Sequence, residues 1–505
     1  MATTTNLMTE FSEPSPEDWR AFAEKSMRGK PLDPVLTTSG EGLDLPAFVA
    51  RADRPERSGP ATARHGDWRI GVRHSLASDT VNADILEDLR GGASAVTLTL
   101  NDAVLSAETL NAAFDGVYRE MVTLSFDGLN GATAKTALSA LGEGKAFAEL
   151  HLGLDPLGDA AAGRDAGDLP SEVNTSDLST FYTVNGCRLY NHGASSVTEV
   201  AATLAIGLAY LRHLVSDGLT TTEASKLVRF SLAADTDFFA CLAKFRAFQN
   251  LWRGMLTDCC VENPFVSIEA RQTLRSQTMR EPATNAIRLS IAGMAAGLGG
   301  ADAVTLNGFK GSDEASRRLS RNAQLMLLEE SHLGRVSDPA YGSYALESWT
   351  EKLMDAAWSK LQSLEAIVED GGNDELINAV RSFIESDKAA RDQKILSLEK
   401  GVIAVTRYPD LGSPIEAGDH NPFSLTAAFE RCLAASDAFY ETEGHRPGLF
   451  LSKDAKGLQA YAPLAGFTVA DAPAEADVSF DGTADIADFL EHVAIALENR
   501  GGDLT

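Results

Sequence analysis

The segment TFYTVN (residues 180–185) and the longer segment SSVTEVAATLAIGLAYLRHLVSD (residues 195–217) form the clearest structural unit in the sequence. The first segment is a short, mainly apolar run, which is typical of a buried strand. In the second, apolar residues recur at steps of three and four positions from Val197 to Leu214, as they do on one face of a helix. Together the two segments predict a strand that leads into a long helix.

The same strand-then-helix unit repeats from Trp68 to about Leu306. Strands are predicted at residues 68–73, 95–100, 121–126, 146–152, 180–185, 227–232, 264–270 and 303–309. Helices are predicted at residues 79–90, 107–117, 132–141, 196–217, 236–256, 284–298 and 314–330, and the helix after the fourth strand is poorly defined. Eight such units favour an α/β fold, a (β/α)8 TIM-type barrel. A doubly wound open sheet has the same local pattern, so periodicity alone leaves both folds open.

The chain outside the barrel divides into three further regions. Residues 1–60 are predicted to form an N-terminal arm, and the barrel is assigned to residues 61–345. Residues 346–445 have the pattern of a mainly helical linker region. Residues 446–505 predict a reduced α/β unit, because about 60 residues are too few for a complete five-stranded nucleotide-binding fold. The helices expected outside the barrel lie near residues 16–28, 348–369 and 374–400.

Composition limits the classes of function. The 505 residues are 44% hydrophobic and 23% charged, as in globular proteins, and the net charge is −28. This charge repels nucleic acid and anionic membranes, although a local basic pocket can still hold a small anion. The longest apolar run, Val200–Leu211, is too short to span a bilayer, and the first residues lack a secretory pattern. Five cysteines make no disulfide framework and no metal site, so we expect a soluble, cytoplasmic protein without nucleic-acid or membrane partners.

Tyr190 and His192 are the candidate catalytic side chains. They lie just past the fifth predicted strand, at the barrel face where active sites form, and a histidine there can act as a general acid. The alternative is a structural histidine at a loop or helix start. A similar choice, between anion binding and structural pairing, applies to four arginines of one stretch: Arg271, Arg275, Arg280 and Arg288.

The densest polar pattern lies at the end of the barrel. Arg321, Asn322, Gln324, Glu329 and Glu330 are too many unlike polar groups for a purely solvated helix face. We therefore expect them to form a buried hydrogen-bond network at the last barrel helix, with a role in specifying the fold.

The stretch from Arg321 to Tyr344 resembles a long signature of the methylmalonyl-CoA mutase family, RNxQLxLxEExxLxRVxDPxxGSYxxExLT. Asp338 and Ser343 belong to the same signature, and Trp349 departs from it, because the pattern has Leu there. The resemblance covers roughly residues 15–445 and, more faintly, the tail. It implies a complex that isomerises methylmalonyl-CoA and succinyl-CoA with adenosylcobalamin, by a radical rearrangement of the carbon skeleton.

Within this family the chain resembles the small, non-catalytic subunit of the bacterial heterodimeric enzyme. The runs that carry this likeness are residues 82–89, 153–158 and 280–282. Catalytic chains have a Tyr-His pair after the glycine that follows the fifth strand, whereas Cys187 and Arg188 follow Gly186 here. The resemblance therefore implies no catalytic residue in this chain.

The family motif DxHxxG, whose histidine ligates cobalt, is missing from the sequence. Its nearest approach, residues 443–448, has Glu for Asp and precedes the first predicted strand of the tail instead of following it. By resemblance, residues 446–505 are a truncated, flavodoxin-like remnant of the cobalamin-binding domain. No cofactor-binding residue is assigned, and adenosylcobalamin is expected in a large catalytic partner subunit.

Two alternatives remain open at this stage. The barrel could bind acyl-CoA, or act as an acyl-CoA mutase barrel with a separate corrin-binding chain, using Tyr190, His192 and the arginines. The chain could instead be an interaction module for a chaperone of the mutase.

Overall fold

The structure is a computed structural model. It describes residues 15–32, 37–40, 43–46, 48–50, 66–100, 103–141, 147–164, 169–170, 178–411, 421–481 and 485–502. The strands are β1 (Thr37–Gly40), β2 (Leu43–Pro46), β3 (Arg69–Ser75), β4 (Ala95–Thr99), β5 (Thr123–Asp127), β6 (Glu149–Leu154), β7 (Thr180–Asn185), β8 (Val228–Ala234), β9 (Ile268–Gln272), β10 (Ala303–Thr305), β11 (Gly448–Leu451), β12 (Thr468–Val469) and β13 (Val478–Phe480). The helices are α1 (Pro16–Ser26), α2 (Val81–Arg90), α3 (Ala107–Ala113), α4 (Gly131–Leu141), α5 (Pro156–Ala161), α6 (Gly186–His192), α7 (Ser196–Ser216), α8 (Thr221–Lys226), α9 (Phe238–Asp258), α10 (Thr284–Leu298), α11 (Glu314–Leu325), α12 (Tyr344–Leu396), α13 (Ala427–Glu443) and α14 (Ile486–Gly502).

Strands β3 to β10 form a closed parallel barrel of eight strands. The ring closes where β10 pairs with β3, with Ala303 opposite Arg69 and Thr305 opposite Gly71. This closure confirms the predicted (β/α)8 barrel and excludes the open sheet. The poorly defined fourth helix is the short α5, which Asp155 caps by accepting a hydrogen bond from the amide of Gly158.

The long helix α12 is part of the barrel's packing. Apolar side chains along it, including Leu353, Leu361, Leu376 and Val380, are buried in the same core as the barrel strands and helices. The sequence predicts two helices here, and α12 consists of two helical segments that meet at Gly372, whose φ of 72° is not helical. This part of the predicted linker region thus covers the barrel.

The C-terminal unit has its own core. Strand β11 lies between β12 and β13 in a parallel three-stranded sheet. These strands lie close to the three that the sequence predicts, at residues 448–452, 467–471 and 478–480. Phe480 and Phe489 pack there with Phe429 of α13. Helices α13 and α14 are also joined by an ion pair of 2.6 Å between Arg431 and Glu498.

The N-terminal region contacts the outer helices through β2, where Leu45 is buried against Trp349 and the Trp349 indole donates to the carbonyl oxygen of Pro46 at 2.8 Å. Helix α1 begins at Ser15, whose hydroxyl accepts a hydrogen bond from the amide of Asp18, and no residue of the helix is buried. Trp19 stacks on Phe48 with a ring separation of 4.1 Å. Among the described helices, none is both long enough and apolar enough to cross a membrane.

Candidate functional site

The interior of the barrel is polar and charged. Alternate residues of a strand point to the same side, and this period of two brings a set of ionic side chains together inside the ring. The members that form ion pairs with one another are Arg69, Arg73, Asp127, Glu149, His151, Arg229, Glu269 and Arg271. They hold positions that in other barrels are dominated by branched apolar side chains.

Asp127, at the end of β5, is the centre of this cluster. Its carboxylate accepts hydrogen bonds from Arg73 at 2.7 Å, Arg188 at 2.6 Å and Arg271 at 2.8 Å. The residue is only 7% exposed. Burial opposes its ionisation, but the neighbouring guanidinium groups outweigh that effect and lower the pKa of Asp127 well below its usual range. The carboxylate is therefore a fixed anion that anchors three strands and helix α6.

Glu269 forms a second centre deeper in the barrel. It accepts hydrogen bonds from Arg271 at 3.0 Å and from the hydroxyl of Thr305 at 2.9 Å. Arg229 lies 3.8 Å away and donates to Ser125 at 3.0 Å. Burial opposes ionisation here too, but Arg271 and Arg229 lower the pKa of Glu269 to about 2.

A third group involves Glu149 and His151 of β6. Glu149 is 2.5 Å from Arg69 and 3.2 Å from His151, whose other ring nitrogen contacts Thr180 at 2.8 Å. Burial, followed by the charge of Arg229, lowers the pKa of His151 to about 4, so the imidazole is neutral at pH 7.

Gly71 shows how closely the interior is filled. A β-carbon added there would lie 2.2 Å from the hydroxyl oxygen of Thr305 on the neighbouring strand. No side chain fits between these strands, so glycine is required at this point. The barrel axis is thus a packed ionic core.

Cys187 and Arg188 stand where the family resemblance places the catalytic Tyr-His pair. Arg188 is 9% exposed and its guanidinium contacts both Asp127 and Asp159. Cys187 is buried, which raises the pKa of its thiol to about 12, and its sulfur lies 3.5 Å from the carbonyl oxygen of Arg271. A thiol that stays protonated is a poor nucleophile, and an arginine does not release a proton, so neither side chain is suited to nucleophilic attack or proton transfer.

Tyr190 is held in a rigid, buried setting. It is 2% exposed and donates a hydrogen bond of 2.6 Å to Asp235. Its ring lies between two cations, 3.9 Å from the guanidinium carbon of Arg275 and 4.4 Å from the ammonium of Lys244. Lys244 in turn forms a buried ion pair of 2.5 Å with Glu199. These contacts hold the Tyr190 side chain of α6 against residues of α7 and α9.

His192 lies at the end of α6 and is partly exposed. Its Nδ1 is 2.9 Å from the carbonyl oxygen of Arg188, and its ring meets Phe423 edge-on at 5.1 Å. Tyr190 and His192 therefore have different partners, and the structure does not join them in one acid–base site.

The other arginines of the candidate set are held by intrachain contacts. Arg275 donates to the carbonyl oxygens of Tyr190 and Ala194. Arg280 pairs with Asp437 at 2.5 Å. Arg288 donates to the side chain of Thr278 at 2.8 Å.

Asp155 and Asp159 were not predicted as members of this site. Asp155 accepts hydrogen bonds of 2.8 Å from the hydroxyl of Tyr210 and from the amide of Asn185. Burial and the nearby Asp159 raise the pKa of Asp155 to about 7. The available signal in the sequence is its position three residues after the strand predicted at residues 146–152.

The signature residues separate into a buried and an exposed set. Arg321 pairs with Asp88, and Gln324 accepts a hydrogen bond of 3.1 Å from the indole of Trp68. Asp338 binds Arg246 at 2.9 Å. The carbonyl oxygen of Ser343 accepts the amide of Glu347 at 2.8 Å, at the start of α12, and Arg246 also binds the Glu347 carboxylate.

Asn322, Glu329 and Glu330 are exposed. The expectation of one buried network is wrong for these three residues. Their spacing explains the difference, because Arg321, Gln324 and Leu328 recur at the steps that face the barrel and turn the other positions outward.

The residues of the C-terminal unit do not fit the cobalt ligation of the family. In the part of the chain that the structure describes, β11 is followed by Lys453, Asp454 and Lys456, with no imidazole. His445 precedes β11 and lies 2.9 Å from the carbonyl oxygen of Arg446. His492 lies on α14 and contacts the carbonyl oxygen of Ser479.

The fold and the site define a (β/α)8-barrel protein with an ion-paired interior and a small C-terminal α/β unit. A family model described as methylmalonyl-CoA mutase matches residues 174–434. The chain is 31% identical over 502 residues to the methylmalonyl-CoA mutase small subunit of Streptomyces virginiae, covering 88% of this chain and 80% of that protein.

Two further relatives agree. The probable methylmalonyl-CoA mutase small subunit of Mycobacterium tuberculosis is 33% identical over 449 residues, covering 83% of this chain and 72% of that protein. The methylmalonyl-CoA mutase small subunit of Propionibacterium freudenreichii subsp. shermanii is 29% identical over 458 residues, covering 81% and 71%. The chain belongs to the methylmalonyl-CoA mutase family, as the signature at residues 321–344 predicts.

Proposed function

We propose that this chain is the small, non-catalytic subunit of a heterodimeric, cytoplasmic methylmalonyl-CoA mutase. It supports a large catalytic subunit, which holds adenosylcobalamin and interconverts methylmalonyl-CoA and succinyl-CoA. The observation that carries this proposal is the ion-paired barrel mouth, in which Arg188 and Asp127 occupy the place of a catalytic proton donor and its surroundings.

A catalytic barrel must admit its substrate and present a group that exchanges a proton. Here the interior is occupied by arginine–carboxylate pairs, and removing one partner of a buried pair is strongly destabilising. Arg188 stays protonated at any physiological pH, and the buried thiol of Cys187 is not ionised. The geometry therefore favours a supporting role for the barrel.

The C-terminal unit supports the same division of labour. Its three strands and their helices form a self-contained core, but the segment after β11 offers lysines where the family motif has a cobalt-binding histidine. We infer that the cofactor belongs to the partner subunit. The alternative, an acyl-CoA barrel that acts with a separate corrin-binding chain, needs an open interior, and the ionic core argues against it.

The purified chain alone provides a direct test. It is incubated with adenosylcobalamin, desalted and examined by absorbance, and it is then assayed with methylmalonyl-CoA. We expect no corrin band and no turnover. A stoichiometric corrin band, or turnover above background, would refute the non-catalytic assignment.

The Cys187→Tyr/Arg188→His variant sharpens the test. It restores the family's acid pair, but an acid typically contributes only about 10²–10⁴-fold and does not replace a bound radical source. We expect this variant to stay inactive without a large subunit. Activity in it would reveal a cofactor site in this chain.

A further inference from the structure

A cavity of about 310 Å³ lies at the mouth of the barrel, between the ends of β9 and β10. Its walls come from residues after β9, from the loop at residues 306–312 after β10, from residues 71–73 in the middle of β3, and from helix α11. In many enzymes of this architecture, the loops after the seventh and eighth barrel strands form a phosphate site. The volume lies at the lower end of the range for small-molecule sites.

The charged side chains that line the cavity are all basic. They are Arg73, Lys310, Arg317 and Arg321, and no carboxylate stands among the described residues of the lining. The surface of the cavity therefore presents only basic groups, in a chain whose net charge is −28. A group of like charges around one concave surface attracts a compact anion.

Carboxylates outside the lining hold these guanidinium groups in place. Arg317 binds Asp84 at 2.7 Å and also contacts Glu87 and Asp88. Arg321 binds Asp88 and contacts Glu87, whereas among the described carboxylates Arg73 binds Asp127 alone. The carboxylates moderate the positive field, so the expected affinity is modest. They also fix the geometry, and because a guanidinium has five N–H donors, each arginine can bind a carboxylate and still face the cavity.

The loop that closes the cavity is rigid. A β-carbon on Gly308 would lie 1.7 Å from the carbonyl oxygen of Gly311, so this tight turn requires glycine. The side-chain Nε2 of Gln277 donates to the carbonyl oxygen of Gly308 at 3.0 Å, and the side-chain Nδ2 of Asn307 donates to the carbonyl oxygen of Gln272 at 3.1 Å. These contacts fix the backbone of the loop beside the cavity.

We propose that this cavity binds a small phosphorylated molecule, with the phosphoryl group between Arg73 and Lys310. Planar guanidinium groups match phosphate oxygens in a bidentate way, and lysine adds a point charge. A whole coenzyme A molecule is larger than the cavity. This ligand site does not depend on the proposed role as a subunit of the mutase, and a different experiment tests each of the two proposals.

The test is isothermal titration calorimetry of the full chain at low ionic strength, with inorganic phosphate and with glycerol 3-phosphate as probes. We expect saturable binding at about 1 mM or tighter. Lys310→Gln removes one cation from the surface loop and should weaken binding about tenfold. The control is Lys453→Gln, which removes the same charge from an exposed position in the C-terminal unit and should bind like the wild type.

Three results would overturn the proposal. They are the absence of saturable binding up to about 10 mM, equal weakening by both substitutions, and wild-type affinity in Lys310→Gln. Coenzyme A is titrated in parallel, and binding tighter than that of glycerol 3-phosphate would contradict the assignment to a small ligand. Unfolding midpoints of both variants confirm that they are folded.

Discussion

The substitution Asp127→Asn tests the ionic core directly. It keeps the shape of the side chain but removes the charge that three guanidinium groups share, at 2.6–2.8 Å. Arg188 keeps Asp159 and Arg271 keeps Glu269 as partners, whereas Arg73 loses its ion pair. Breaking a fully buried pair by removing one partner costs about 3–5 kcal/mol. Because the Arg73 side chain is 46% exposed and water can solvate it, we expect a smaller loss of about 2–3 kcal/mol.

Urea unfolding followed by far-UV circular dichroism measures this loss as a change in the free energy of unfolding. The matched control is Asp115→Asn, an exposed aspartate whose substitution should change stability by no more than about 0.5 kcal/mol. A double-mutant cycle with Arg188→Met should give a coupling energy of about 1–3 kcal/mol. A loss below about 1 kcal/mol for Asp127→Asn, with no coupling, would show that the barrel mouth is solvated and would refute the ionic core.

The remaining predictions concern pH, packing and the signature. His151 has a pKa of about 4 in the fold against an ordinary 6.5, so the unfolded chain takes up a proton first as the pH falls. The contribution of His151 to the free energy of unfolding is therefore complete above pH 6.5 and is lost as the pH falls towards 4. The stability advantage of wild type over His151→Gln should shrink by about 3 kcal/mol over that range, and a constant difference would contradict the buried neutral imidazole. Gly71→Ala should lower the free energy of unfolding by about 1–3 kcal/mol, because the new β-carbon would lie 2.2 Å from the hydroxyl oxygen of Thr305. The control Gly254→Ala, at an exposed helix position with open space, should be stabilising. Thermal or urea unfolding measures both, and the reverse order of stabilities would contradict the packing around Gly71. Arg246→Met removes the cation that binds the buried carboxylates of Asp338 and Glu347, and it should destabilise the protein by about 3–5 kcal/mol. Glu329→Gln, on the exposed face, should leave the stability unchanged. Equal effects of the two substitutions would argue against a buried and an exposed set of signature residues.

Much of the barrel could be predicted from the sequence, because each unit carries its own signal. Apolar runs and helical periodicity place the strands and most helices within a few residues of the observed elements. The predicted bounds of an element are wrong where apolar residues continue past its end. The last barrel strand was expected at residues 303–309 but ends at Thr305, because the apolar Leu306 and Phe309 flank a tight turn at Gly308.

The ionic core could not be predicted in the same way. Asp127 is separated by 54 positions from Arg73 and by 144 from Arg271, so nothing local links them. Alternation along each strand indicates which side chains point inward, but their pairing follows only from closure of the ring. Helix α6 was also missed, since it is short and begins with Gly186.

The central claim is that this chain supports a catalytic partner without performing the reaction itself. Co-expression with a large mutase subunit, followed by co-purification and methylmalonyl-CoA turnover measured with and without this chain, tests it most directly. The account predicts a stable complex whose activity exceeds that of the large subunit alone and whose corrin is bound by the partner. Full activity of the large subunit alone, with no complex formed, or capture of a mutase chaperone in place of any mutase subunit, would contradict it.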